Sequence, residues 1–263
     1  MTERNDHIDN ERLKARVIAM YLPQFHRTEV NDRYWGEGFT EWDNVTKARP
    51  LFKGHEQPKL PDDTLGYYDL SRPEIRELQA RLAADAGIEG FMYWHYWFGN
   101  GTMALNRPLE DVLSSGAPDY PFCMGWANHS WHTGSWTAAG GRRHKSVTIF
   151  NQLYPGVDDH IAHFNYCLKA FRDKRYITVD QCPLFAIWAP GDIPDLKRFI
   201  KLWKSLTTEA GLKGLHLTAI RVSRNDMTVD ELIDAGFDSV NNCNYNMWRA
   251  ECRVAGSKWL KMA

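Results

Sequence analysis

The run SRPEIRELQARLAADAGIEGFMYWHYW, residues 71–97, holds a helix and a strand in succession. Ser71-Arg-Pro-Glu74 has the form of a capping box with proline in the first turn. Ile75, Leu78, Leu82, Ala83 and Ala86 recur on one helical face, and Gly87 supplies the stop. Ile88-Glu-Gly-Phe-Met-Tyr-Trp94 follows as a strand and runs on into His95-Tyr96-Trp97. A strand apolar on both sides belongs in a parallel sheet covered on both faces.

The same unit recurs on either side. Arg16–Leu22 is an apolar strand that ends at Pro23, which cannot donate to a ladder. Further strands are expected at 122–126, 183–188, 215–220 and from 237, with helices at 107–115, 157–172, 196–210 and after Thr228-Val-Asp-Glu231. Alternating strands and helices imply parallel βαβ units. No GxGxxG or GxxxxGK[ST] follows any strand, so a barrel is favoured over an open nucleotide-binding sheet. The expected fold is α/β, a (β/α)8 TIM-barrel-like domain, incomplete, with about six units visible where closure needs eight. Residues 1–15 read as a polar lead-in and 16–263 as one catalytic domain with an atypical C-terminal end. An apolar barrel edge left open is expected to be covered by a homo-oligomeric partner or by the C-terminal tail. Residues 23–72 have no sustained period and read as one long functional loop.

Lys plus Arg number 32 and Asp plus Glu 33, so nothing favours a nucleic acid or an anionic membrane surface. No apolar run is long enough to span a bilayer. The opening MTERNDHIDNERLKAR lacks the apolar core of a signal peptide, which predicts a cytoplasmic location. The five cysteines form no CxxC pair and read as reduced thiols. No cofactor is expected. The unusual feature is the aromatic content, 11 Trp, 11 Tyr and 12 Phe.

Those aromatics gather where chemistry would sit. Three strands run into Trp94-His95-Tyr96-Trp97, Trp126-Ala127-Asn128 and Trp188-Ala189-Pro190, at the carboxyl ends where barrels build sites. Flat rings beside Asn and His suit sugars: CH groups lie on the rings and polar edges read hydroxyls. For any single Trp the plain alternative is core packing. Tyr34-Trp-Gly-Glu-Gly-Phe-Thr-Glu-Trp42 adds two carboxylates, Glu37 and Glu41. A carboxyl among apolar rings has a raised pKa and can act as a general acid, and glycosidic cleavage uses two such groups. Glu41 is the better placed, between Phe39 and Trp42. His129-x-x-His132 and His160-x-x-His163 have helical metal-pair spacing, yet no HExxH accompanies them, and His160 and His163 are expected on a polar helix face. No GxSxG elbow supports a serine nucleophile.

At these motifs the sequence resembles the WbsX-like family, which is related to glycoside hydrolase family 99. The strings that carry the resemblance are YLPQFH at 21–26, WGEGFTEWDNV at 35–45, GHEQPKLP at 54–61, YYDL at 67–70, AGIEGFMYWHYWF at 86–98, RPL at 107–109, PFCMGWAN at 121–128 and AFRDKRYITVDQCPLF at 170–185. The resemblance covers about residues 16–240 and implies a (β/α)8-type barrel acting on glycosidic bonds. Members are labelled glycosyltransferases of surface-polysaccharide synthesis, and relatives are endo-acting mannosidases. The sugar-site positions it implies are His26, Glu41, Trp42, His95, Tyr96, Trp97, Asn128 and Trp131. Where the family has Glu-Asn-Trp after Trp-Ala-Asn, this chain has His129-Ser130-Trp131, and its usual Trp-Asp-Gly is Trp136-Thr-Ala. The acidic residue after the sixth strand has no counterpart in Asn241–Asn246. Glu41 is thereby left without its usual partner carboxylate.

Three readings follow. In the first, glycosyl transfer from an activated nucleotide sugar or endo-hydrolysis uses Glu41 as acid or base. His129 or His95 handles the second proton, and His26, Glu37, Trp42, Tyr96, Trp97, Trp126, Asn128, Trp131 and Trp188 bind the carbohydrate. In the second, the fold binds glycans with its catalysis lost. The third is a metal-dependent hydrolase using His26, His95 and His129, and it ranks lowest.

Overall fold

The computed structural model describes residues 15–133, 146–222 and 227–243. The first half of the chain forms β1 (Ile18–Tyr21), α1 (Glu29–Trp35), α2 (Glu41–Thr46), α3 (Pro73–Asp85), β2 (Gly90–Trp97), β3 (Met103–Ala104), α4 (Arg107–Ser115) and β4 (Phe122–Trp126). The second half forms β5 (Trp131–His132), β6 (Thr148–Phe150), α5 (Val157–Phe171), β7 (Thr178–Val179), β8 (Cys182–Ile187), α6 (Leu196–Glu209), β9 (His216–Arg221), α7 (Val229–Ala235) and β10 (Ser239–Asn242). Six strands pair in the order β1-β2-β4-β8-β9-β10, and each of those pairings is parallel. The short β3 and β7 add antiparallel turns to β2 and β8, and β5 pairs with β6 separately. Among the described residues β1 and β10 do not pair with each other, so the architecture is an incomplete (β/α) barrel.

Register divides the sheet into two faces. Tyr21, Tyr93, Met124, Phe185 and Leu217 stand opposite one another across five strands. Side chains alternate along each strand, so this row and its two-residue repeats share one face. That face carries the helices: Phe185 and Trp203 of α6 have ring centroids 5.0 Å apart, and Trp97 stacks on His163 of α5 at 4.8 Å. The opposite, inner face carries Trp94, Gly125, Ala186, Thr218 and Ser239 in register. Trp94 meets Trp188 edge-on there at 5.2 Å. Gly125 leaves room for its neighbours, because a Cβ on it would lie 3.0 Å from the end of Met92 and 3.3 Å from Trp94.

The expected strands and the helices from residue 107 onward are present within a few residues. Thr228 caps α7 through its side chain and Glu231, as its sequence predicts. Ser71 does not cap α3: Arg72 is the N-cap, no side chain bonds there, and Pro73 at the first position opens the helix. The segment 23–72 is not one loop, because it holds α1 and α2. Both are under two full turns and too short to show a helical period. His160 and His163 are buried rather than on a polar face, since α5 is wedged between β2 and α6. Val17, Met20 and Leu22 stay exposed along the open β1 edge. The tail expected to cover an open edge lies, from residue 244, outside the described residues.

Gly90 fixes where β2 enters. A Cβ at that position would stand 2.3 Å from the Pro121 carbonyl oxygen, which itself accepts the Phe91 N–H at 3.0 Å. Gly90→Ala is therefore expected to lower unfolding stability by about 1–3 kcal/mol, read as a lower urea midpoint. An unchanged midpoint would show that this contact yields freely.

Candidate active site

The strand ends and the 23–46 segment enclose a cavity of about 140 Å³ lined in part by Gln24, Trp35, Phe39, Glu41, Tyr96, His129, Ser130 and Trp131. Tyr96 points inward from β2, with the Trp131 ring edge-on at 4.8 Å. Trp35 and Phe39 stack at 5.4 Å with their planes 23° apart, across the turn that ends α1 at Gly36. The cavity thus has aromatic walls on two sides.

Glu41 is its buried charge. It opens α2, and its carboxylate accepts the Phe25 backbone N–H at 2.7 Å. Phe25 sits at φ 58°, a conformation rare for a residue with a side chain. Its carbonyl accepts the Leu70 N–H at 3.1 Å, and its ring packs on Trp42 and Tyr68. Those contacts hold the left-handed turn that aims the Phe25 N–H at Glu41. Burial raises the Glu41 pKa, and the two backbone N–H groups that bond it, its own and that of Phe25, oppose the rise without cancelling it. His129 stands exposed at the cavity, with Tyr96 and Trp188 rings 6.4 and 6.5 Å away. Desolvation lowers its pKa, so it is neutral near pH 7.

The structure divides the expected site. Glu41, Tyr96, His129 and Trp131 line the cavity, and Trp188 lies against His129. His95 and Trp97 fall on the other face of β2, because they stand one residue either side of Tyr96. His95 Nε2 lies 2.9 Å from His163 Nε2, and burial takes its pKa down to about 3. The Trp97 indole N–H donates to Asp159. Catalysis by His95 and sugar stacking on Trp97 do not fit those placements. Trp126 is likewise a core ring, against His163 and Phe199. Asn128 is fully buried as a clamp: its amide donates to the Tyr154 hydroxyl at 2.9 Å and the Ala189 carbonyl at 2.8 Å, and accepts the Ala189 N–H at 2.8 Å. It ties the ends of β4 and β8 together and presents no free edge to a ligand. The Trp42 indole N–H is spent on the Tyr68 carbonyl, and Trp42 does not line the cavity. His26 is buried beside the site, its Nδ1 3.3 Å from the Gln24 carbonyl. Glu37 is exposed and faces Arg27 at 3.4 Å, outside the cavity. Trp136 lies outside the described residues.

Trp35 and Gln24 are site residues that the sequence does not single out, although WGEGF holds the signal for Trp35: two rings separated by glycines, next to an acid. As for metals, His26, His95 and His129 do not form a group among the described residues, whereas ligand atoms of His95, His163 and Cys167 lie within 4.8 Å of one another. The 2.9 Å between the two imidazole nitrogens is hydrogen-bond spacing, shorter than the roughly 3.3 Å between two ligands on tetrahedral zinc. The pair is read as two neutral imidazoles sharing a proton.

Residues 17–260 match the model of a family described as Glycosyltransferase WbsX. The chain belongs to the WbsX glycosyltransferase family. A protein described as "Uncharacterized protein WxcX" from Xanthomonas campestris pv. campestris is 35% identical over 238 residues, covering 90% of this chain and 32% of that protein. The chain thus spans about a third of the length of this curated relative. A GH99 endo-alpha-mannosidase structure from Bacteroides thetaiotaomicron aligns with a TM-score of 0.49 at 16% identity, over 85% of this chain and 60% of that one. The same enzyme with bis-tris-propane aligns at 0.47 and 14% identity, over 85% and 57%. No helix among the described residues is long and apolar enough to cross a membrane.

A raised Glu41 pKa means that the folded state holds this proton more tightly than the unfolded chain does. Stability contributed by the protonated form is present at low pH and is lost as pH rises through the folded-state pKa. Glu41→Gln keeps the acceptor for Phe25 and cannot ionise. Its stability relative to wild type is expected to improve between pH 4 and pH 8 in urea unfolding. A relative loss over that range would show that the ionised carboxylate is the favoured form.

Proposed function

We propose that this domain transfers a glycosyl group from an activated donor to a carbohydrate hydroxyl, with Glu41 as the general base. The observation that carries this reading is that Glu41 is the one carboxylate among the described residues lining the aromatic cavity. Glycoside hydrolysis ordinarily needs two carboxyl groups, one of them to protonate a poor leaving group. A donor with a good leaving group needs no such acid. The acceptor oxygen bonds to the anomeric carbon, the carbon–leaving-group bond breaks with its electron pair on the leaving group, and the hydroxyl proton passes to Glu41. Burial raises the Glu41 pKa, a shift in the direction that suits a base working closer to neutral pH. Neutral His129 orients the acceptor hydroxyl, and Tyr96, Trp131 and the Trp35–Phe39 pair take the sugar faces. The family description, a glycosyltransferase, supports transfer, and surface-polysaccharide synthesis with a nucleotide-sugar donor is the setting we propose for it.

The second reading, a glycan-binding domain without turnover, is favoured by the His129-Ser130 pair standing where the family pattern places Glu-Asn. The two separate in one experiment. Wild type and Glu41→Gln are incubated with a panel of nucleotide sugars and glycan acceptors. Transfer by the wild type, falling by about 10²–10⁴ in Glu41→Gln with acceptor binding retained, is the expected result. Binding without product in the wild type supports the second reading, and near-wild-type turnover by Glu41→Gln removes Glu41 from the reaction.

A further inference from the structure

The polar side chains around the candidate active site are not equally occupied. Glu41 accepts the Phe25 N–H at 2.7 Å, Ser130 Oγ accepts the Gln152 N–H at 2.9 Å, and His132 Nδ1 lies 3.1 Å from the Thr148 hydroxyl. Asn31 differs. It lines the same cavity from α1 and is only 5% exposed. Its backbone N–H is taken by the Thr28 hydroxyl at 3.0 Å, whereas its side-chain amide bonds nothing among the described residues. Neither polar atom of that amide is sealed from solvent, so the amide opens on the cavity. A buried amide in this position is costly unless a ligand or a water completes it.

The surroundings of this amide set the size and sign of what can bind it. Asn31 and Trp35 stand four residues apart on α1, so amide and indole share one helix face. The Trp35–Phe39 pair forms one wall and the Tyr96–Trp131 pair another. The space between them is about 140 Å³. A cavity of about 150 Å³ holds one benzene, so this one takes a single six-membered ring. Aromatic walls suit the CH faces of a pyranose. An amide donates through its NH2 and accepts through its oxygen, a pattern that two neighbouring hydroxyls complete. Glu41, 6% exposed, decides the sign, because its carboxylate repels an anionic substituent brought into the same enclosure.

We propose that this cavity receives one uncharged pyranose ring and that Asn31 selects it, its amide bonding two neighbouring ring hydroxyls. The inference rests on the cavity being the carbohydrate site of the reading above, and not on Glu41 acting as a base or on any turnover. Asn31 moves no proton; it sets specificity. Aromatic walls alone barely distinguish a sugar from its deoxy analogue, whereas a buried amide rejects the analogue that leaves it unbonded. A uronic acid is rejected for a different reason, the charge of Glu41.

The test is binding, so absence of transfer with sugar binding intact counts against the transfer reading alone. The full chain and Asn31→Ala are titrated by NMR at pH 8 with methyl glycosides of glucose, galactose and mannose, with the monodeoxy analogues of each, and with the methyl glycosides of their uronic acids. The expected result is saturable binding of at least one neutral glycoside by the wild type, weakened about tenfold or more when either hydroxyl of one neighbouring pair is removed. In Asn31→Ala that preference disappears, and parent and deoxy sugar bind alike. The matching uronic acid binds the wild type at least about tenfold more weakly than the neutral sugar. Asn31→Ala removes no side-chain hydrogen bond to a described residue, so the variant keeps the fold, and an unchanged thermal midpoint without ligand checks this. The deoxy series in the wild type reads the same contact without any substitution. A deoxy preference that survives in Asn31→Ala, a uronic acid bound as tightly as its neutral parent, or no saturable binding up to about 100 mM overturns the proposal.

Discussion

The register that sets Tyr21, Tyr93, Met124, Phe185 and Leu217 in one row decides which side chains meet the helices and which face the inside of the sheet. β2 is buried along its whole length, so each of its side chains must find a partner on its own side. Phe91, Tyr93, His95 and Trp97 pack outward, while Met92, Trp94 and Tyr96 pack inward. Slipping β2 by one residue would put His95 and Trp97 into the cavity and bury Tyr96 among the helices. The His95–His163 pair and the Trp97–Asp159 bond both oppose that slip, because each satisfies a buried polar group only in the observed register.

The buried carboxylate of the cavity depends on a different constraint. Glu41 is carried by the 23–46 segment, not by the sheet, and that segment is held by the φ 58° turn at Phe25 and the Phe25, Trp42 and Tyr68 rings. Backbone strain at Phe25 is offset by the hydrogen bonds from its N–H to Glu41 and from Leu70 to its carbonyl. The carboxylate is thus desolvated in a fixed place, the combination that raises a pKa without letting the group swing out to water. Asn128 does the equivalent work between strands, clamping β4 to β8 beneath His129.

The parallel barrel architecture was legible because the main strands are short apolar runs and the longer helices α3, α5 and α6 keep a 3.6-residue period. The site was legible only in part. A motif string such as Trp94-His95-Tyr96-Trp97 reads as one cluster, yet a strand sends alternate residues to opposite faces, and only Tyr96 among the last three reaches the cavity. Trp126 and Asn128 sit at a strand end, as sites do, and are nonetheless consumed by packing and by a hydrogen-bonded clamp. His160 and His163 looked solvated because α5 is polar enough to have a wet face, but α6 packs across them. Trp35 is not legible because it ends a helix too short to carry a period, whereas Phe39 is legible only as a neighbour of Glu41.

The account turns on Glu41 being a carboxyl made less acidic by its enclosure. A direct measurement is the titration of its side-chain carboxyl carbon by NMR in the wild-type chain, assigned by comparison with Glu41→Gln. The account predicts a midpoint clearly above the roughly 4.3 of a free glutamate. A midpoint at or below that value would mean that the backbone N–H bonds outweigh burial, leaving Glu41 a structural anion at the start of α2 rather than the base of the reaction.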